Sequence, residues 1–142
     1  MAHTNPSDAE LKQLLTDATV IAMVGASSNP DKASNGIMRK LQSVGYRVIP
    51  VNPRETEVLG ERAYPSLIDV PERIDIVDVF RRAEDTPPIA DEAVTIGAKA
   101  LWLQTGIVSD DAATRAEAGG LMVVMDLCIG ATHSLLRVPR KA

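Results

Sequence analysis

The sequence predicts an α/β fold in one domain, residues 1–142, built on a doubly wound, five-stranded parallel sheet of Rossmann-like type. Short apolar runs alternate along the chain with segments of helical periodicity. The runs contain few polar residues, which is typical of strands that helices cover on both faces. Only four of the 142 residues are aromatic, so the core must be aliphatic. The expected strand order is 3-2-1-4-5.

Local signals mark the individual elements. A capping box from Ser7 to Glu10 starts the first helix, and Ser34 is expected to cap the second. Pro50 is expected to splay the second strand from its neighbour, because proline donates no hydrogen bond to the sheet. The five strands are predicted at residues 20–24, 48–51, 74–80, 100–103 and 121–125. The later helices are predicted to start at Thr86, after Ser109 and at Ile129.

Composition and charge limit the classes of function. The net charge of −4 and the pI near 5.1 oppose a broad surface for nucleic acid or an anionic membrane. The single cysteine, Cys128, excludes an internal disulfide and agrees with a reducing compartment. No apolar run approaches the ~20 residues of a membrane span. We therefore expect a cytoplasmic protein that binds neither nucleic acid nor membrane.

A ligand of such a sheet is expected beyond the carboxyl ends of the strands, at a switch point predicted between strands one and four. The first of these loops combines small residues with hydroxyls and a lysine, which suits a phosphate or pyrophosphate at a helix N-terminus. Tight turns need small residues in any doubly wound fold, and the loop lacks the G-x-G-x-x-G spacing. The candidate residues here are Gly25, Ala26, Ser27, Ser28, Lys32 and Ser34.

The end of strand two selects among nucleotides. An NAD site would place an acid here, whereas this chain has Val51, Asn52, Pro53 and Arg54. Arginine suits a phosphate on the ribose, as in NADP or coenzyme A. The alternative is a solvated loop arginine that pairs with the acids at positions 55 and 57.

The ends of strands three and four supply the remaining candidates. Phe80, Arg81 and Arg82 follow strand three, where an adenine ring is expected to rest against the backbone and the Phe80 side chain, with Arg81 among the candidate residues. A core phenylalanine followed by solvated arginines explains the pattern equally well. Gln104 and Gly106 end strand four, where the glycine leaves room for a bound chain. Trp102 is expected in the core.

Other reactive residues do not form a recognisable catalytic or metal motif. Cys128 could act as a nucleophile with His133 as its base, but a lone intracellular cysteine is more often a small buried residue. No cluster has the spacing of metal ligands. Asp78 is expected deep in strand three, where it needs a partner, and its role stays open.

Taken together, the motifs resemble the single-domain CoA-binding protein family, whose fold is similar to the N-terminal CoA-binding domain of the succinyl-CoA synthetase alpha subunit. The similarity covers residues 18–136. It departs from the family pattern at Leu127 and Thr132, where the family has an arginine before the cysteine and an acid before the histidine. The matching segments are Val24-Gly25-Ala26-Ser27, Pro30, Lys32, Ser34, Gly45-Tyr46, Pro50-Val51-Asn52-Pro53, residues 75–81, Leu101-Trp102-Leu103-Gln104 and Gly106.

The resemblance implies a module that holds the cofactor CoA, or an acyl-CoA, without catalysis of its own. The first loop would hold the pyrophosphate, the ends of strands two and three the adenosine, and the end of strand four the pantetheine arm. Two alternatives stay open: an NADP-dependent oxidoreductase fragment, which the arginine after strand two favours, and a regulatory module with a vestigial nucleotide pocket. A protein partner is compatible with each of them.

Overall fold

The computed structural model describes residues 3–141 as one five-stranded parallel sheet with helices on both faces, which confirms the predicted fold class. A separate two-stranded hairpin lies in the connection that follows the second strand. The strands are β1 (Val20–Val24), β2 (Arg47–Val51), β3 (Glu57–Val58), β4 (Glu61–Arg62), β5 (Ile76–Val79), β6 (Ala100–Leu103) and β7 (Met122–Val124). The helices are α1 (Asp8–Asp17), α2 (Ala33–Ser43), α3 (Thr86–Thr95), α4 (Asp110–Ala118) and α5 (Ile129–Leu135).

The strand order is β2-β1-β5-β6-β7, so the predicted order 3-2-1-4-5 was wrong. The third strand of the main sheet, β5, lies beside β1 rather than outside β2, and Met23 pairs with Asp78. Both places would bury an equally apolar strand, so the hydrophobic pattern cannot distinguish them. The switch point consequently lies between β1 and β5, whose following loops are direct neighbours.

Two aliphatic layers cover the sheet, one on each face. Helices α3 and α4 pack small residues against one face, whereas α1, α2 and α5 cover the other. Leu15 and Ile21 are fully buried in the second layer, and each such side chain contributes about 1.5–3 kcal/mol to folding. The predicted capping box of α1 is present, since Ser7 and Glu10 accept each other's backbone N–H groups at 3.2 and 3.0 Å.

Two local predictions were wrong. The pairing of β1 with β2 continues through Pro50, because β2 is an edge strand of the main sheet and the backbone of the buried Pro50 points away from β1. Its carbonyl accepts from the N–H of Tyr64 at 3.1 Å on that outer side. Helix α2 begins two residues earlier than expected, so Lys32 is its N-cap and Ser34 lies inside the first turn. No helix within residues 3–141 is long and apolar enough to cross a membrane.

Candidate functional site

Gly25 lets the first loop pass close to the end of β5. Its φ of +88° is the left-handed conformation that glycine adopts without strain, and a Cβ at this position would overlap the carbonyl oxygen of Phe80. Its N–H donates to the carbonyl of Val51 at 2.9 Å. This glycine therefore brings the carboxyl ends of three neighbouring strands, β2, β1 and β5, together.

Asn52 ties the first loop to the loop after β2. Its Nδ2 donates to the carbonyl of Ala26 at 2.8 Å, and its Oδ1 accepts from the N–H of Arg54 at 2.9 Å. Ala26 is fully buried in the core and does not line the cleft, so its part in the site is the carbonyl that Asn52 holds. The buried Asn35 of α2 adds a second tie by donating to the carbonyl of Ser27 at 2.9 Å.

Ser28 and Glu55 form a contact that sequence reasoning missed. The N–H of Ser28 donates to Glu55 Oε2 at 2.6 Å, and its hydroxyl lies 2.9 and 3.0 Å from the two carboxylate oxygens. The expected pairing of Arg54 with Glu55 or Glu57 is not found, and Arg54 forms no ion pair within residues 3–141. No local signal could have revealed the Ser28 contact, because its two residues are 27 positions apart.

A polar cleft of about 560 Å³ opens at this edge of the sheet. Lys32 and Arg54 place two cations in its lining, and Glu55 places one carboxylate there. The amides of Ala33 and Ser34 at the start of α2 have no acceptor among the described residues, as expected for a helix N-terminus. The lining consists of Gly25, Ser27, Lys32, Ala33, Ser34, Asn52, Arg54, Glu55 and Phe80.

Two smaller cavities flank this cleft. One, of about 160 Å³, shares Gly25 with the cleft and is lined further by Val24, Val51, Pro53, Pro65, Ser66, Leu67, Arg81, Asp85, Ile89 and Glu92. The other, of about 190 Å³, shares Ala33 and Phe80 with the cleft and is lined further by Ile37, Gln104, Thr105, Ile107 and Cys128. The three cavities therefore adjoin one another across the ends of the strands.

Gly106 does not line any of these three cavities. It has a φ of +83°, and its N–H donates to Asp126 Oδ1 at 2.6 Å, which fixes the turn after β6. A Cβ at this position would meet no atom within 4 Å, so the space beside the turn is open.

A buried acid lies in the sheet beneath the site. Asp78 is 0% exposed, and burial raises its pKa to about 8, although the hydrogen bond from the side-chain amide of Gln104 opposes this shift. Gln104 Oε1 in turn accepts from the N–H of Ile129 at 3.4 Å. Asp78 Oδ2 has no hydrogen-bond partner among residues 3–141, and burial favours the neutral acid. The amide of Gln104 is thus engaged inside the protein.

Cys128 and His133 are not arranged as a nucleophile and a base. Cys128 is the N-cap of α5, where its thiol accepts from the N–H of Ala131 at 3.5 Å. His133 is 4% exposed and packs edge-on against Tyr46, with ring centroids 5.8 Å apart. Burial, followed by the charges of two lysines, lowers its pKa. No hydrogen bond joins the thiol to the imidazole in the described part of the chain.

The family model described as the CoA binding domain matches residues 19–134 of this chain. That span includes every residue that lines the cleft and its two flanking cavities. The chain belongs to the CoA binding domain family. This CoA binding domain is similar in structure to a hypothetical protein from Pyrococcus horikoshii, with a TM-score of 0.91, 36% identity and coverage of 96% of this chain and 99% of that one.

Two relatives of this CoA binding domain differ in how much of their own length the match covers. The uncharacterized protein YneT of Bacillus subtilis is 41% identical, and the match covers 94% of this chain and 98% of YneT. The ADP-forming acetate–CoA ligase I of Archaeoglobus fulgidus is 28% identical over 78% of this chain, but the match spans only 18% of the ligase. The domain therefore corresponds to one part of a much longer enzyme.

Proposed function

We propose that this chain binds CoA or an acyl-CoA along the carboxyl-end edge of its sheet. The observation that carries the proposal is the continuity of the site. A central polar cleft shares Gly25 with one smaller cavity, and Ala33 and Phe80 with the other. CoA has the same order of parts, because its charged pyrophosphate joins an adenosine to a long pantetheine arm. Membership of the CoA binding domain family supports the same ligand.

The central cleft suits the phosphates. The amides at the start of α2 point toward it, and the eleven-residue helix places the positive end of its dipole there. Lys32 adds a full positive charge for the pyrophosphate. Arg54 offers a planar guanidinium to the phosphate on the ribose, a group that CoA carries and NAD lacks.

The flanking cavities suit the two ends of the ligand. Pro53, Leu67 and Ile89 give one cavity apolar walls for an adenine ring, with the exposed Arg81 in its lining. Ile37 and Ile107 give the other an apolar lining for the pantetheine arm. Gln104 contributes surface there, because its amide already binds Asp78 and Ile129.

The proposal assigns binding and no chemical step. In the ADP-forming acetate–CoA ligase of Archaeoglobus fulgidus the matched part is 18% of the chain, so the activity of that enzyme does not transfer to this domain. Within residues 3–141 no group of three His, Cys, Asp or Glu side chains could hold a metal ion.

Native mass spectrometry of protein taken directly from cells, followed by calorimetric titration, tests the proposal. We expect a retained mass of CoA or an acyl-CoA, and tighter binding of CoA than of NADP by the emptied protein. A retained NADP mass would favour the oxidoreductase alternative. If the protein retains no ligand in the mass spectrum and shows no heat of binding on titration with CoA, the proposal is contradicted and a vestigial pocket is favoured.

A further inference from the structure

Two hydrogen-bond donors of the first loop, at the edge of the polar cleft, are already occupied by an acid of the protein itself. The backbone N–H of Ser28 lies 2.6 Å from Glu55 Oε2, and the hydroxyl of Ser28 lies within 3.0 Å of both carboxylate oxygens. Glu55 also lines the polar cleft, together with Lys32 and Arg54. A carboxylate and a phosphate are both anionic acceptors, so they compete for the same donors.

We propose that Glu55 is an internal competitor of the ligand phosphate and thereby sets the affinity and selectivity of the site. In the free protein its carboxylate holds the two donors of Ser28, and a phosphate that binds this loop displaces it. This inference rests on the proposed function for the identity of the ligand. A neutral ligand has no acceptor strong enough to make the exchange, so Glu55 makes the site select for anionic ligands such as phosphates over neutral ones.

The loop does not need Glu55 to hold its shape. Asn52 joins the first loop to the loop after β2 through the carbonyl of Ala26 at 2.8 Å, and Asn35 holds the carbonyl of Ser27 at 2.9 Å. These ties are partly buried, whereas the contact between Ser28 and Glu55 is exposed. An exposed hydrogen bond to a carboxylate is the contact that a ligand can replace at the lowest cost.

Glu55→Gln tests the proposal, with Glu57→Gln as the matched control. Both substitutions remove one negative charge from the segment that follows β2, but Glu57 starts β3, is exposed and does not line the cleft. The probes are CoA, inorganic pyrophosphate and pantetheine, measured by calorimetry. We expect Glu55→Gln to bind CoA and pyrophosphate about tenfold more tightly, which corresponds to one charge-assisted hydrogen bond. Pantetheine affinity should not change, and Glu57→Gln should alter CoA affinity by no more than about twofold.

The outcomes separate this inference from the proposed function. Unchanged or weaker binding of both phosphate ligands by Glu55→Gln would overturn it, because Glu55 would then organise the loop or contact the ligand. An equal gain in Glu57→Gln would also overturn it, since general electrostatics would suffice. If Glu55→Gln binds pyrophosphate more tightly than wild type but neither of these two proteins binds CoA, Glu55 still competes with phosphate, and the proposed CoA function is contradicted.

Discussion

At the scale of single residues, Asp78 is unusual because its carboxyl group is buried in the centre of the sheet. It is a fully buried acid between Met23 of β1 and Trp102 of β6, with one oxygen bonded to Gln104 and the other without a partner among the described residues. Burial favours its neutral form, which is why its pKa rises from 3.8 to about 8. The sequence predicted that Asp78 would be deep, but it gave no indication that Gln104, 26 residues later, would be the partner.

Asp78 should make the protein less stable as pH rises from about 4 to about 8. Over this range the unfolded state loses the proton of Asp78 while the folded state keeps it, so each pH unit lowers the free energy of unfolding by up to about 1.4 kcal/mol. Asp78→Asn has no proton to lose. In urea unfolding at pH 5, 6, 7 and 8, the stability of Asp78→Asn relative to wild type should therefore increase steadily with pH.

The comparison with wild type also removes the effect of His133. Its lowered pKa reduces stability as pH falls below about 6.5, where the unfolded state takes up a proton first, and this contribution is the same in both proteins. Parallel stability profiles for wild type and Asp78→Asn would show that the aspartate is ionised or hydrated in the folded protein.

At the scale of elements, the neighbours of each strand decide which loops form the site. The sequence located all five strands of the main sheet and the residues that follow them, because apolar runs and turn residues are local signals. It could not place β5 beside β1, and so it could not predict that Gly25 would lie against the backbone of Phe80. Glu55 illustrates the same limit, since a contact with Ser28 depends on how two loops meet in space.

Gly25→Ala should destabilise the fold more than Gly97→Ala does. Both glycines have positive φ, +88° and +74°, so alanine is strained at either position by about 1–2 kcal/mol. A Cβ at position 25 would also overlap the Phe80 carbonyl, whereas one at position 97 meets no atom within 4 Å. Guanidinium unfolding of the two variants measures the difference. Equal losses of stability would mean that β1 and β5 separate easily at this end.

At the scale of the whole molecule, the site combines cations and acids at one edge of an acidic protein. The chain carries a net charge of −4, and the central cleft and the adjoining 160 Å³ cavity are lined by three cations, Lys32, Arg54 and Arg81, and by three acids, Glu55, Asp85 and Glu92. The overall charge opposes nonspecific binding of anions, so under the proposed function selectivity for phosphates depends on the positions of individual cations and not on an excess of positive charge. The sequence predicted these three cations as site residues, because Lys32 precedes the second helix and Arg54 and Arg81 follow the ends of predicted strands two and three.

CoA should stabilise the whole fold, and more strongly than dephospho-CoA. A ligand at 100 times its Kd that binds only the folded state adds about 2.7 kcal/mol, which corresponds to a rise in Tm of about 5–10 °C for a chain of this size. If Arg54 holds the phosphate on the ribose, CoA binds about tenfold more tightly than dephospho-CoA at low salt, and Arg54→Ala removes most of that preference.

Arg140→Ala is the matched control for Arg54→Ala, because Arg140 is exposed and lies outside the lining of the cleft. In thermal unfolding with CoA and with dephospho-CoA, Arg140→Ala should keep the larger rise in Tm with CoA. Raising the salt concentration should reduce the difference between the two ligands in wild type, since an exposed ionic contact is screened, whereas apolar contacts to the adenine are not. A Tm that stays constant up to millimolar CoA would contradict binding. Equal shifts with both ligands in wild type would instead leave CoA bound without a contact from Arg54 to its ribose phosphate.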